Sequence, residues 1–257
     1  MIAVIDLDSV AFSIGHPNKV LDNNKEPIRK DNKFVYEDKT ELELIKSADE
    51  LMKSILNKGK FTGYIGFIKG KGNYRYSINS EYKQNRPIES PKWWLFVKDY
   101  LIQQWKAIEV NGIEVDDAVN ITRLQIPDSV IVAIDKDLLE LEGLHYNWRK
   151  DEWVTTSKAR AEYKFWQDMI VGQPADNIKG IPGSGIKAAE KIMEGIKCPP
   201  ARILKYYIEH FGEKEGINQF YKNYNSLLIL DSYKDFIIPD IIDIRDRNFE
   251  KEKLVTE

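Results

Sequence analysis

The chain has 257 residues, 42% of them hydrophobic and 31% charged, with a formal net charge of −3. That balance fits a folded soluble domain and excludes a generally basic, nucleic-acid-coating protein, so any phosphate-binding surface has to be local. The one cysteine, Cys198, excludes an internal disulfide framework and suits a reducing cytoplasm. The opening MIAVIDLDSV lacks the features of a signal peptide, and no apolar run reaches the length of a membrane span.

Residues Ile2 to Ile5 read as a short buried strand running into Asp6 and Asp8. The polar stretch Val20 to Tyr36, with Pro27, reads as a surface hairpin or loop. Thr40 to Glu43 has the form of a capping box, opening a helix that continues towards Leu56. Phe61 to Ile68 is a second strand, and the glycine-rich basic turn Gly70 to Asn73 follows it. Ser90-Pro91 predicts a helix start, with Trp94, Val97, Leu101, Trp105 and Ile108 on one stripe. Those tryptophans, with Trp93, read as packing residues. A shorter helix follows Val115, and Ser129 to Ile134 is a third strand ending in Asp135 and Asp137. A polar hairpin around Asn147 to Trp153 leads to a helix from Ser157 to Val171. The segment Gly172 to Gly185 is a Gly- and Pro-rich loop, with a helix from Ile186 to Glu194 beyond it. The rest is mostly helical. Alternating strands and helices predict an α/β fold with a central, mostly parallel sheet flanked by helices. Sites in such sheets form outside the carboxyl ends of the strands.

Asp6, Asp8, Glu114, Asp116, Asp117, Asp135 and Asp137 all fall at strand ends or a helix start. A lone Asp after a strand is more often a helix cap than a ligand. Two Asp-x-Asp strand ends with Glu-x-Asp-Asp at a helix start point instead to a cation site, because so many carboxylates repel one another without cations. An oxygen-rich set poor in His and Cys suits Mg²⁺ or Mn²⁺ rather than zinc, and two such ions would serve phosphodiester hydrolysis.

The run Gly180 to Lys187 opens a helix, and its glycines would let backbone N–H groups approach a phosphate; Gly180, Gly183, Gly185 and Lys187 are the candidate contacts. A tight helix–helix turn is the plain alternative. Between Lys58 and Arg86 there are seven basic residues against one acid, Glu81. Tyr64, Tyr74, Tyr76 and Tyr82 are interleaved with them, a pattern of phosphate contact with base stacking. Lys71, Arg75 and Tyr82 are its candidate DNA contacts, and a solvated lysine-rich face is the alternative.

In this order the motifs resemble the 5′ nuclease superfamily of flap endonucleases and phage and bacterial 5′→3′ exonucleases. The resemblance runs from Ile2 to about Met193. It is carried by Asn73-Tyr74-Arg75 with Glu81 to Arg86, by Gly112 to Ala118, by Ala133 to Leu139 and by Gly172 to Gly183. It implies that Asp6, Glu114 and Asp116 hold one metal ion with Asp117 nearby, and that Asp135, Asp137 and Asp176 serve a second. It implies that Lys83 and Arg86, with Asp135, act on the scissile phosphate at the base of a helical arch spanning about 83–110. A helix-hairpin-helix over about 157–194 would bind duplex phosphate around a K⁺ ion. The family's acid after the second strand is Ile68 here, and the first acid of its Gly-Asp-x-x-Asp is Gln173, left as a neutral neighbour of the second ion. Asp8 is the candidate to replace the carboxylate missing at Ile68.

The expectation is one domain over 1–257, with a catalytic α/β core (1–156) and a helical part (157–257). Its predicted activity is metal-dependent 5′→3′ exonuclease or flap endonuclease cleavage of DNA at 5′ ends, flaps or nicks, by a monomer in the cytoplasm of a phage host. A non-catalytic binder of branched DNA, or a ribonuclease acting on RNA–DNA hybrids, are the competing readings.

Overall fold

A computed structural model describes residues 1–22, 24–86, 90–195, 199–234 and 236–246. Cys198 and residues 87–89 of the expected arch lie outside the described residues. Strand β1 (Ile2–Asp6) feeds helix α1 (Leu7–Gly15). Four two-residue strands follow: β2 (Asn18–Lys19), β3 (Arg29–Lys30), β4 (Lys33–Phe34) and β5 (Tyr36–Glu37). Helix α2 (Glu41–Lys58) begins at the expected capping box: Thr40 Oγ1 accepts from Glu43 N–H, and the Glu43 carboxylate accepts from Thr40 N–H. Then come β6 (Gly63–Lys69), α3 (Arg75–Ile78), α4 (Trp94–Trp105), β7 (Ile108–Val110), α5 (Val115–Gln125), β8 (Ser129–Val132) and α6 (Lys136–Leu139). The hairpin β9 (Gly143–Asn147) and β10 (Glu152–Thr156) leads to α7 (Lys158–Val171), which Ser157 caps as expected. The short pair β11 (Gly172–Gln173) and β12 (Ile178–Lys179) precedes α8 (Ile186–Met193), α9 (Pro199–Phe211), α10 (Glu213–Leu227) and β13 (Ile242–Asp243).

The main sheet has the order β10-β9-β8-β1-β6-β13, with β7 also pairing β6. Strands β1, β6, β7, β8 and β9 are parallel to their neighbours, and β10 and β13 run antiparallel. Alternation in β1 sends Ala3 and Ile5 to a core under α1, α2 and α4, and Val4 to a core under α5. A separate cluster of Met169, Ile181, Ile203, Tyr207 and Phe220 joins α7 to α10. Among the described residues no helix is long and apolar enough to cross a membrane.

Helix α4 departs from the sequence reading at both ends. Trp93 N–H is taken by the Gly15 carbonyl (3.2 Å), so residues 91–93 dock on the end of α1 and the helix starts at Trp94, not after Ser90. Lys106 is left-handed (φ 55°) and ends the helix, so Ile108 passes into β7. Val97, Leu101 and Trp105 are buried in the core. This helix is therefore a packed flank of the sheet and not part of an arch.

One buried ion pair ties the C-terminal part to the sheet. Arg75 is 2% exposed and binds Asp117 through two 2.7 Å hydrogen bonds. It also donates to the carbonyl of Ser226 (3.1 Å), in the last turn of α10, and to that of Leu228 (2.5 Å), just past it. Asp117 accepts in addition from Glu114 N–H and Leu230 N–H, both at 2.9 Å. Burial opposes the Arg75 charge, and the Asp117 carboxylate overrides it and pushes the guanidinium's proton affinity up. Every strong acceptor direction of Asp117 is filled. Asp117→Ala is expected to lower unfolding free energy by about 3–5 kcal/mol in urea, because it strands a buried guanidinium. Replacing the pair together (Arg75→Met with Asp117→Leu) is expected to cost less, and a larger loss in the double variant would contradict this account.

Candidate metal centre

The two Asp-x-Asp segments are one local motif used twice. Asp6 caps α1 by accepting from Asp8 N–H (2.9 Å), and Asp135 caps α6 by accepting from Asp137 N–H (2.9 Å). Both therefore take the role of helix cap, as the plain reading of a lone Asp anticipates. They are also brought together, because β1 and β8 are parallel neighbours with Ile5 opposite Val132. Glu114 and Asp116 arrive from the start of α5, which packs against β1, β6 and β8.

Proton affinities record the crowding. Burial, then the charge of Asp8, pushes Asp6 up to about 7. Burial, then Asp135, raises Asp137 to about 6. Asp116 is raised well above the carboxylate range by burial and by Asp135, Glu114 and Asp6. Asp8 is raised chiefly by burial, while its Oδ1 accepts the Lys69 N–H at 2.8 Å. That bond fixes Asp8 at the end of β6, one residue past Ile68, which is fully buried in the core. For Glu114 burial is outweighed by Lys83 and Arg75, and its carboxyl is held below its usual value.

Lys83 and Arg86 lie within this cluster. Lys83 Nζ is 2.5 Å from Glu114 Oε1 and 3.7 Å from Asp176 Oδ2, and Arg86 pairs with Asp176 Oδ1. The turn 174–177 holds their segment: Lys83 N–H donates to the Asp176 carbonyl (2.9 Å), and Asn85 to the Pro174 carbonyl (2.7 Å). The Gln173 amide donates to Asp137 Oδ2 (2.9 Å), so it steadies this carboxylate through its nitrogen.

Several sequence expectations are corrected. Asp117 is spent on Arg75, and Arg75 is a core residue with no surface to offer DNA. Tyr82 is 2% exposed, its hydroxyl 3.1 Å from Glu114 Oε2 and 3.0 Å from Asp176 Oδ2, so it meets carboxylates and not bases. Tyr64 is buried and donates to the Trp105 carbonyl; of the four tyrosines only Tyr76 is largely exposed. Gly180 is a packing residue: a Cβ there would lie 2.2 Å from the Ile170 carbonyl oxygen. Gly183 (φ 76°) and Gly185 face open space, and Lys71 and Lys187 are exposed. Sequence reading missed Lys98, which is 8% exposed and donates to the Lys69 carbonyl (2.6 Å) and Glu109 (2.7 Å). Its place on the buried stripe of α4, four residues after Trp94, is the signal that marks it.

Among the described residues no three His, Cys, Asp or Glu side chains form a ready-made cation cage. The carboxylates share one electrostatic neighbourhood, with an ammonium group between Glu114 and Asp176. The donor set nonetheless suits hard divalent ions. Among the described residues the buried Asp137 Oδ1 has no hydrogen-bond partner, and Lys136 Nζ lies 3.9 Å from it. A carboxylate with a raised affinity stabilises the fold while it is protonated, and that contribution disappears as pH rises through its folded value. The metal-free protein should therefore lose thermal stability between about pH 4 and about pH 7 as Asp6 and Asp137 ionise. Mg²⁺ or Mn²⁺ should raise Tm more at the upper pH. A Tm that is flat with pH, or a metal effect equal at both values, would contradict the assignment.

No protein-family model matches the chain. It is 27% identical over 163 residues to a 5′–3′ exonuclease of Buchnera aphidicola subsp. Schizaphis graminum, covering 57% of this chain and 56% of that protein. It is 26% identical over 166 residues to a 5′–3′ exonuclease of Mycoplasmopsis pulmonis, covering 57% of this chain and 55% of that one. The chain thus spans little more than half the length of these curated relatives. A bacteriophage T5 protein crystallised with metal ions superposes with a TM-score of 0.60 at 16% identity, covering 87% of this chain and 88% of that one. The T5 flap endonuclease in a pseudo-enzyme–product complex with DNA and metal ions gives 0.59 at 16%, covering 90% and 88%. With its mostly parallel sheet and the carboxylates at its edge, the chain shares the fold of these T5 proteins.

Proposed function

We propose that this chain is a metal-dependent 5′→3′ exonuclease or flap endonuclease that hydrolyses DNA phosphodiesters at or near 5′ ends, in phage DNA replication or degradation. The observation that carries this reading is the cluster Asp6, Asp8, Asp116, Asp135 and Asp137, raised in proton affinity or crowded at one sheet edge, with Lys83 and Arg86 beside it. The curated relatives named as 5′–3′ exonucleases and the T5 complex with DNA and metal ions agree with it.

In this reading Asp6, Glu114 and Asp116 hold one Mg²⁺ or Mn²⁺, with Asp8 supplying the carboxylate that Ile68 lacks. Asp135, Asp137 and Asp176 hold the second. Two bound ions would activate a water and stabilise the leaving oxygen. Lys83 and Arg86, released from Glu114 and Asp176 when cations take up those carboxylates, turn to the phosphate. A point charge and a planar fork suit its developing charge. The open backbone at Gly183 and Gly185, the start of α8 and Lys187 form the duplex grip of a helix-hairpin-helix, with K⁺ as its ion and Lys71 as a further phosphate contact.

The test is cleavage of a 5′-labelled flap and a nicked duplex with Mg²⁺, alongside Asp135→Ala. The expected loss in the variant exceeds about 100-fold, and product lengths separate exonuclease from flap cutting. Asp8→Ala should weaken Mn²⁺ binding in calorimetry by roughly 10–100-fold, and unchanged binding would remove Asp8 from the site. The Gln173 amide on Asp137 and the apolar Ile68 favour one second reading, a DNA-binding protein without catalysis. Tight DNA binding with no cleavage in either metal would establish it.

A further inference from the structure

The projection between α1 and α2 has a face that the proposed chemistry leaves unused. Strand β2 pairs with β5, setting Lys19 opposite Tyr36, and β3 pairs with β4, setting Arg29 opposite Phe34. Asp31 (φ 51°) and Asn32 (φ 60°) are both left-handed and close the second pair as a two-residue turn. The bonds Val20 N–H to Val35 O, Ile28 N–H to Val20 O and Val35 N–H to Ile28 O knit the two pairs into one ribbon. Opposite residues and alternate residues share a face, so Lys19, Arg29, Phe34 and Tyr36 lie together. Their contacts agree: the Lys19 ammonium and the Arg29 guanidinium each lie 4.1 Å from the centre of the Phe34 ring.

Lys19 and Arg29 are exposed, and Tyr36 is 52% exposed. Among the described residues neither cation has an ion-pair partner, and two nearby acids are engaged elsewhere, while Glu26, Asp31 and Glu37 stand exposed on the ribbon. Asp22 accepts from the N–H groups of Asn24 and Glu26, and Asp38 pairs with Lys92 at 2.6 Å. Lys30 and Lys33 pair one step nearer the tip, on the opposite face of the ribbon.

The ribbon's root is tied to the end of α1 by Lys39 Nζ, which donates to the Ile14 carbonyl (2.7 Å), and Asp38 pairs with Lys92, six residues along the chain from Arg86.

We propose that this face binds single-stranded DNA, with a base stacked on Tyr36 and the backbone phosphates on Lys19 and Arg29. An exposed Tyr36 ring beside the half-buried Phe34 ring, flanked by two cations without ion-pair partners among the described residues, is the composition of a sequence-tolerant single-strand platform. The proposal rests on the reading of the chain as a DNA enzyme, but its test uses binding alone. Anisotropy of a labelled 20-nucleotide dT strand and of a blunt duplex of equal length is measured in EDTA, where no cleavage occurs. Lys19→Ala with Arg29→Ala should weaken dT binding about tenfold and reduce the slope of log affinity against log salt by about 1.4. Tyr36→Ala should cost about 5- to 100-fold on the dT strand with the salt slope unchanged, while Tyr36→Phe keeps wild-type affinity. Unchanged dT affinity in the variants, no dT binding by the wild type, or an equal loss on the duplex from Tyr36→Ala would each overturn the proposal. Loss of dT binding in the variants of a protein that cleaves no DNA would uphold this surface and remove the nuclease reading.

Discussion

Carboxylates crowd the carboxyl edge of the central sheet, and like charges in a half-buried space cannot all be ionised without cations. Parallel pairing of β1 with β8 makes this unavoidable, since it sets the capping residues Asp6 and Asp135 side by side, and α5 adds Glu114 and Asp116. The protein meets the repulsion by two routes. It raises the proton affinity of Asp6, Asp116 and Asp137, and it inserts Lys83 and Arg86 among Glu114 and Asp176. Divalent ions would replace both. The same electrostatics that burden the fold are the basis of the proposed binding of hard cations.

The neighbours Asp116 and Asp117 show how helical phase divides labour. Successive helical residues point about 100° apart. One phase directs Asp116 towards the carboxylate cluster, and the next directs Asp117 onto Arg75. That buried pair then fastens the end of α10 and the chain just past it to the core through the carbonyls of Ser226 and Leu228 and the N–H of Leu230. Site and scaffold are built from one acidic run. Arg75 also holds Glu114, 3.9 Å away, below its usual proton affinity together with Lys83, so docking of the C-terminal part and the charge of a proposed ligand are coupled.

Position also explains why the basic residues divide. Lys98 is anchored under the strand ends on Glu109, and Lys83 and Arg86 sit on carboxylates. Lys71 and Lys187 remain at the surface, and Lys19 and Arg29 lie over a phenyl ring on the ribbon. A near-neutral chain can present local positive surfaces in this way because its acids are gathered at the metal centre and in structural pairs.

Strands β1, β6 and β8, the capping box at Thr40, the α7 cap at Ser157 and the two Asp-x-Asp ends are legible in the sequence, because each depends on neighbours a few residues away. Periodicity likewise suffices for the stripe of α4, though not for its limits, which depend on Gly15 capturing Trp93 and on the left-handed Lys106. What lies on the buried or exposed side of a contact distant in sequence was decided only by the tertiary structure. Arg75, Asp117 and Tyr82 have the composition of a binding stripe, yet α10 and the turn 174–177 enclose them and turn each towards a partner at least 32 residues away. The anchoring of Asp8 beside Ile68 and the turning of the Gln173 nitrogen towards Asp137 belong to the same class. Residue type and spacing determine which groups can carry charge. Long-range packing determines which charges are neutralised inside the fold and which are left for a ligand.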